Sequence, residues 1–268
     1  MSLVRRSLVV LTAAATVLAL LSAPAAAAPP TSMASMGDSI TRGFNACGFF
    51  FDCTSRSFGT GTDAAVNSHA RRLGITARAY NVGESGARVD DMPAQATAAV
   101  GRGVQYVTIL IGANDACTSS EASMTPVTTF RGHIDTALAT LKAGLPNARV
   151  AVISIPDIKR LWEVGRGSFS ARTAWSLFGI CRSMLANPTS TSGADNARRD
   201  RVRQRVVDFN AQLAAACAAY GPNCDFDGNA VFNYRFAFSQ LSGWDYFHPN
   251  TSGQAVLASV SFDPAFTS

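Results

Sequence analysis

The chain has 268 residues, of which 47% are hydrophobic and 15% charged, with 21 glycines and 11 prolines. That composition suits a globular protein with one sizeable core and excludes a disordered, collagen-like or coiled-coil chain. The formal charge of +5 rests on arginine, since Lys142 and Lys159 are the lysines, and no nucleic-acid partner is expected from it; three histidines leave little room for a multi-histidine metal centre.

In chain order, residues 1–28 read as a secretory signal. Arg5 and Arg6 form a charged start, Leu8–Leu21 is an apolar stretch of 14 residues, and small residues follow with a cut expected near Ala28. A retained membrane anchor is the alternative, but the stretch falls short of the ~20 residues that span a bilayer. Loss of Arg5 and Arg6 lowers the charge to +3. Residues 29–268 are then expected as a single domain outside the cell.

A weak apolar run at Met33–Met36 is followed by Gly37. Stronger β-branched runs lie at Ala77–Val82, Tyr106–Ile111 and Arg149–Ile155. The last two are apolar on both faces, as in strands covered on both sides. Thr125–Gly144 carries Phe130, Ile134, Leu138 and Leu141 at helical spacing and stops at Gly144 and Pro146; Asp195–Tyr220 repeats the pattern with Val202, Val206, Phe209 and Leu213. Strands alternating with helices predict a parallel sheet in an α/β sandwich. Leu161–Asn196, rich in Gly, Ser and Thr without clear periodicity, reads as a long surface excursion.

Export favours disulfides over metal binding. Cys47, Cys53, Cys117, Cys181, Cys217 and Cys224 form an even set with no CxxC, and 15 connectivities are open to them. Local closure favours Cys47 with Cys53 and Cys217 with Cys224, which leaves Cys117 with Cys181.

Ligand sites in such sheets lie beyond the carboxyl ends of the strands. Gly37-Asp38-Ser39, Gly83, Gly112-Ala113-Asn114-Asp115 and Asp157 all fall there. Ester hydrolysis at neutral pH needs a hydroxyl activated by a base, and a third group that holds the base in the right tautomer. Ser39, His248 and Asp245 can fill those roles, because a spacing of three lets one turn carry both the acid and the base. The oxyanion needs hydrogen-bond donors, for which the Ser39 and Gly83 N–H groups and the Asn114 amide are candidates.

With these residues the sequence resembles the GDSL or SGNH hydrolases: GDSI at Gly37–Ile40, NVGESGARV around Gly83, GAND at Gly112–Asp115 and DYFHPN at Asp245–Asn250. The resemblance spans most of the chain beyond the signal. It implies a flavodoxin-like three-layer α/β/α fold with Ser39 as nucleophile, His248 as base, Gly83 and Asn114 in the oxyanion hole, and no metal or organic cofactor. Some secreted relatives orient the histidine with a backbone carbonyl, which is the alternative to Asp245 in that role; Asp38 is expected to be a structural neighbour of the serine. An α/β-hydrolase would carry a GxSxG elbow in mid-chain, and none is present.

The aromatic loop and the basic balance favour a fatty-acyl ester substrate, the resemblance to secreted bacterial lipases and phospholipases points the same way, and a monomeric enzyme is expected. An acetyl esterase acting on carbohydrate is the enzymatic rival, and an inactive secreted binding protein the rival of another class. Phe49, Phe50 and Phe51, inside the probable Cys47–Cys53 loop, are read as an acyl-pocket lining or a contact with lipid, against ordinary packing under the loop. His69 and His133 are expected in surface or structural roles, and the arginine-rich run 198–205 as a solvated helix face.

Overall fold

The computed structural model describes residues 28–268. The signal expected over residues 1–28 lies, Ala28 apart, outside them. Strands β1 (Met33–Gly37), β2 (Ala79–Asn81), β3 (Tyr106–Leu110), β4 (Arg149–Val152) and β5 (Cys224–Phe226) form one parallel sheet in the order β2-β1-β3-β4-β5. Between β2 and β5 run α2 (Met92–Val100), α3 (Ala113–Ala116), α4 (Val127–Gly144), α5 (Ile158–Gly165), α6 (Phe169–Leu177), α7 (Arg182–Leu185) and α8 (Gly193–Tyr220). A short α1 (His69–Arg72) precedes β2, and α9 (Ala230–Asn233), α10 (Thr251–Val260) and α11 (Pro264–Thr267) follow β5.

Side chains alternate across the strands. Ala34, Met36, Val107, Ile109, Val150 and Val152 therefore enter the main core, which α2, α4 and α8 cover with Ala96, Ile134, Leu138, Val206 and Phe209. Phe130 of α4 stacks on Phe209 of α8 with ring centroids 4.1 Å apart. Burying each such side chain stabilises the fold by roughly 1.5–3 kcal/mol. Met33, Tyr106 and Ala151 point to the other face, against Ala70 of α1 and Phe266 of α11. This second layer is held by polar contacts as well, such as Ser35 Oγ to Thr108 Oγ1 at 2.7 Å. The expected α/β/α sandwich is the architecture observed.

Three expectations are corrected. Leu161–Asn196 is not an irregular excursion, because α5, α6 and α7 organise it and Trp162, Trp175, Met184 and Leu185 are buried there. Short helices broken by Gly167 and Gly179 give no sustained periodicity, which hid them. The arginine run is not uniformly solvated: Arg199 is fully buried, stacked 4.2 Å over the Trp162 ring, with Nη2 donating to the Asn187 carbonyl at 2.7 Å and Nη1 to the Ser190 carbonyl at 3.0 Å. The run expected at Ala77–Val82 forms only a three-residue, half-buried edge strand.

The disulfides are Cys47–Cys53, Cys117–Cys181 and Cys217–Cys224, the pairing that local closure favours. Chain-entropy arguments give the short loops roughly 2 kcal/mol each and the long one about 4 kcal/mol. The long one ties the turn after α3 to the segment before α7, so α5–α7 are fastened to the rim where the strands end.

Candidate active site

The site begins with a steric constraint at the end of β1. Gly37 has φ +144°, and a Cβ there would lie 2.2 Å from the Leu110 carbonyl oxygen and 2.3 Å from Thr41 Oγ1. Glycine alone fits. Gln95 of α2 grips the same residue from both sides, its Oε1 accepting the Gly37 N–H at 2.7 Å and its Nε2 donating to the Gly37 carbonyl at 3.0 Å. The chain then turns sharply: Asp38 Oδ1 accepts the Ile40 N–H at 2.8 Å, and Ser39 stands at the carboxyl edge of the sheet.

His248 meets Ser39 from the other end of the sequence. Its Nε2 lies 2.8 Å from Ser39 Oγ, and its Nδ1 lies 2.6 Å from Asp245 Oδ2. Asp245 Oδ1 accepts the N–H groups of Phe247 at 2.9 Å and His248 at 3.1 Å, so the acid also fixes the turn that carries the base. Burial works against ionisation of Asp245, but the His248 ring, the Phe247 N–H and the Asn45 amide outweigh it and hold the carboxyl below its usual range. A carboxylate on Nδ1 assigns the neutral ring its proton there, which leaves Nε2 with a lone pair toward the serine hydroxyl.

Sequence reasoning missed Asn45. Its Nδ2 donates to Asp245 Oδ2 at 2.6 Å, the oxygen that also meets His248, while its Oδ1 accepts the Phe50 N–H at 2.6 Å. Its backbone is left-handed, φ +59°, a conformation that Asn tolerates better than most residues. The signal available was an Asn two residues before the cysteine of a short loop, a turn cue that says nothing of a partner 200 positions away.

The proposed oxyanion donors converge on the same rim. Gly83 follows β2, and a Cβ on it would meet the Gly37 carbonyl oxygen at 2.9 Å. Among the described residues no acceptor takes the Gly83 or Ser39 N–H. Asn114, in α3, donates one amide hydrogen to the Ala87 carbonyl at 2.9 Å and keeps the second. Ser39, Asn114 and His248 line one cleft of about 350 Å³ together with Phe44, Ile180 and Phe247. His248 also lines a narrower, mostly apolar pocket of about 70 Å³, walled by Ile40, Ile158, Leu161, Val164, Phe236 and Leu241, with Asp157 and Arg160 at its edge.

Two further acids stand behind the serine. Asp38 is fully buried, and burial pushes its carboxyl up to about 7; its Oδ2 has no protein partner. The neighbouring acid is Asp115, raised by burial, with Oδ1 accepting from Thr125 Oγ1 at 2.7 Å and Oδ2 from the Val89 N–H at 3.1 Å. It braces the loops around Asn114. Phe49, Phe50 and Phe51 are half exposed and line neither cavity. His69 is fully buried in the second layer, and His133 is half-buried on α4. Among the described residues, no three His, Cys, Asp or Glu side chains cluster so as to hold a metal ion.

A family model described as GDSL-like lipase/acylhydrolase matches residues 33–260. No curated protein matches the chain. Among solved structures it is similar to an extracellular lipase from Streptomyces rimosus, 20% identical over 87% of this chain and 100% of that one, with a TM-score of 0.50. It is also similar to a mutant acetylxylan esterase from Geobacillus stearothermophilus, 16% identical over 88% and 97% of the two chains, with a TM-score of 0.54. At these identities the likeness is one of fold. The match to the family model spans most of the chain, from β1 to the end of α10, and so the chain belongs to the GDSL-like lipase/acylhydrolase family and is a carboxylic ester hydrolase.

Proposed function

We propose that the protein is an exported serine hydrolase that cleaves fatty-acyl esters through an acyl-enzyme on Ser39. The observation that carries the reading is the line Asp245–His248–Ser39, hydrogen-bonded at 2.6 and 2.8 Å and open to a cleft. His248 Nε2 takes the Ser39 proton as Oγ bonds to the ester carbonyl carbon, and Asp245 stabilises the imidazolium that forms. The carbonyl oxygen becomes an oxyanion facing the Ser39 and Gly83 N–H groups and the second hydrogen of the Asn114 amide, each worth about 3 kcal/mol in the transition state. The C–O bond to the alcohol then breaks, and the alkoxide leaves with the proton from His248. Water repeats the sequence on the acyl-enzyme, releasing the acid and restoring the Ser39 hydroxyl.

The mostly apolar pocket beside His248 supports an aliphatic acyl chain over an acetyl group, since its walls, Asp157 and Arg160 apart, offer hydrocarbon. Three disulfides are in keeping with an oxidising compartment outside the cell. Hydrolysis of p-nitrophenyl esters from acetate to palmitate tests the substrate class, with butyrate and longer chains expected to be preferred. Activity confined to acetate overturns it in favour of a carbohydrate acetyl esterase. A fluorophosphonate is expected to label Ser39, and a folded protein that resists labelling overturns the serine mechanism.

A further inference from the structure

An unusual amount of aromatic surface stands around the mouth of the cleft. Phe49, Phe50 and Trp244 are 50%, 58% and 52% exposed, and Leu177 is 74% exposed beside a 43% exposed Phe178, a set too large and too contiguous to be scattered surface apolarity. Ring contacts join them: Trp244 to Phe49 at 5.2 Å, Phe49 to Phe50 at 5.0 Å, and Phe50 to Phe178 at 5.8 Å. The chain of rings reaches the site, because Phe50 also meets Phe44 at 5.8 Å and Phe44 meets His248 at 5.0 Å. The rim is therefore assembled from three separate segments and is continuous with the catalytic cleft.

Adjoining this rim is a second concavity of about 330 Å³, lined by Ser176 and Gly179 on either side of Leu177 and Phe178, that shares Ile180 with the cleft. Arg172 and Arg182 line it, and neither has an acidic partner among the described residues. Arg172 is held by donating to the Arg166 carbonyl at 2.9 Å. The acid next to the aromatic loop, Asp52, is already neutralised by Arg42 at 2.8 Å. Aromatic rings around a hydrolytic cleft, with two guanidiniums lacking counterions beside them, complement a hydrocarbon boundary overlaid by phosphate charge.

We propose that this aromatic rim, with Arg172 and Arg182, is the face by which the protein docks on an anionic phospholipid bilayer, so that the Ser39 cleft opens onto the lipid. The proposal rests on the fatty-acyl reading and extends it from the substrate to the surface that presents it. The rings enter the interfacial region, and the two guanidiniums take lipid phosphates.

The exported chain, residues 29–268, carrying Ser39→Ala, which leaves the lipid intact, is sedimented with vesicles of phosphatidylcholine containing about one part in three phosphatidylglycerol, and with phosphatidylcholine alone. Binding is expected to be roughly tenfold tighter on the mixed vesicles, and to fall at least tenfold when Phe49→Ser and Phe178→Ser are combined. Arg172→Gln with Arg182→Gln is expected to reduce binding on mixed vesicles to the level on phosphatidylcholine. In the Ser39 background these substitutions are expected to leave hydrolysis of soluble p-nitrophenyl butyrate unchanged, which reports that the variants fold. Absence of vesicle binding, or binding indifferent to the aromatic pair, overturns the proposal; binding indifferent to phosphatidylglycerol overturns the assignment to an anionic surface. A dimer in light scattering that Phe49→Ser dissociates assigns the rim to a second copy instead. Cleavage of p-nitrophenyl palmitate without vesicle binding refutes the docking face and keeps the fatty-acyl reading, whereas vesicle binding with cleavage of acetate alone does the reverse.

Discussion

His69 and His248 each sit between two oxygens within 3 Å, and only one of them has partners suited to catalysis. His69 Nε2 and Nδ1 meet Ser261 Oγ and Tyr106 Oη, both at 2.9 Å. Ser261 Oγ spends its hydrogen on the Leu257 carbonyl at 2.7 Å, so it accepts from His69 Nε2–H, and Nδ1 accepts from Tyr106. That tautomer is the opposite of the one assigned to His248. Burial, with the charge of Arg72, pushes the His69 pKa down to about 3, and the ring stays neutral. A ring between hydroxyls is a structural bridge, whereas a ring between a carboxylate and a hydroxyl at a cleft can accept a proton and be stabilised while it holds it. The partners and the opening to solvent separate the two roles.

The contrast can be broken most directly by exchanging its consequences. His248→Ala is expected to lower kcat by a factor on the order of 10^4 or more with the melting temperature nearly unchanged. His69→Ala is expected to cost roughly 2–4 kcal/mol of stability in denaturant titration and to leave kcat per folded molecule intact. Similar activity losses for both would end the distinction. Asp245→Asn removes the feature that His69 lacks, and on the order of a 10^2 to 10^4-fold loss of kcat is expected; activity close to wild type would mean that a backbone carbonyl orients His248.

Asn45→Gly keeps the left-handed backbone and deletes the amide. A roughly tenfold drop in kcat at constant KM is expected, with the acid limb of the rate profile moved to higher pH, because the Asp245 carboxyl loses a donor that holds it low. An unmoved limb would leave Asn45 a purely structural part of the loop.

The smallest effect is on stability against pH. His69 binds a proton in the unfolded chain below about 6.5 but in the native state only near 3, so its contribution falls as pH drops through that window. Asp38 acts in the opposite sense: its native pKa of about 7 stands above the unfolded value, so its contribution falls as pH rises from about 4 to 7. Between pH 6.5 and 5.5 the stability difference between wild type and His69→Gln is expected to shrink by about 1 kcal/mol, and Asp38→Asn to shift the balance by a similar amount the other way. Urea midpoints at the two pH values measure both.

The contrast also shows what the sequence makes legible. β3 and β4 are readable because both faces are buried, and α4 and α8 because their apolar stripe runs long enough to establish a period. β5 is a half-buried edge strand of three residues, CDF, and carries no pattern. The motif residues around Ser39, Gly83, Asn114 and His248 are legible because each follows a strand or precedes the last long helix, where the fold must bring them together. Asn45 and the buried Arg199 are not, since their partners are fixed by packing between distant segments. His69 looks in sequence like a surface residue beside Arg71 and Arg72, and only the second layer of the sandwich, held through Tyr106 and Ser261, makes it a buried bridge.

The fork at Asn45 joins the aromatic loop and the acid into one mechanical piece. Ser242 Oγ also donates to the Asn45 carbonyl at 2.9 Å, and the Asn45 N–H to the Phe51 carbonyl at 3.1 Å, so the aromatic loop and the segment that carries Asp245 are joined at one residue. Anyone redesigning this enzyme by loop grafting inherits that stitching. The transplantable module is residues 44–53 together with 242–248, and a loop exchanged without its asparagine would carry off the alignment of Asp245 along with the old surface.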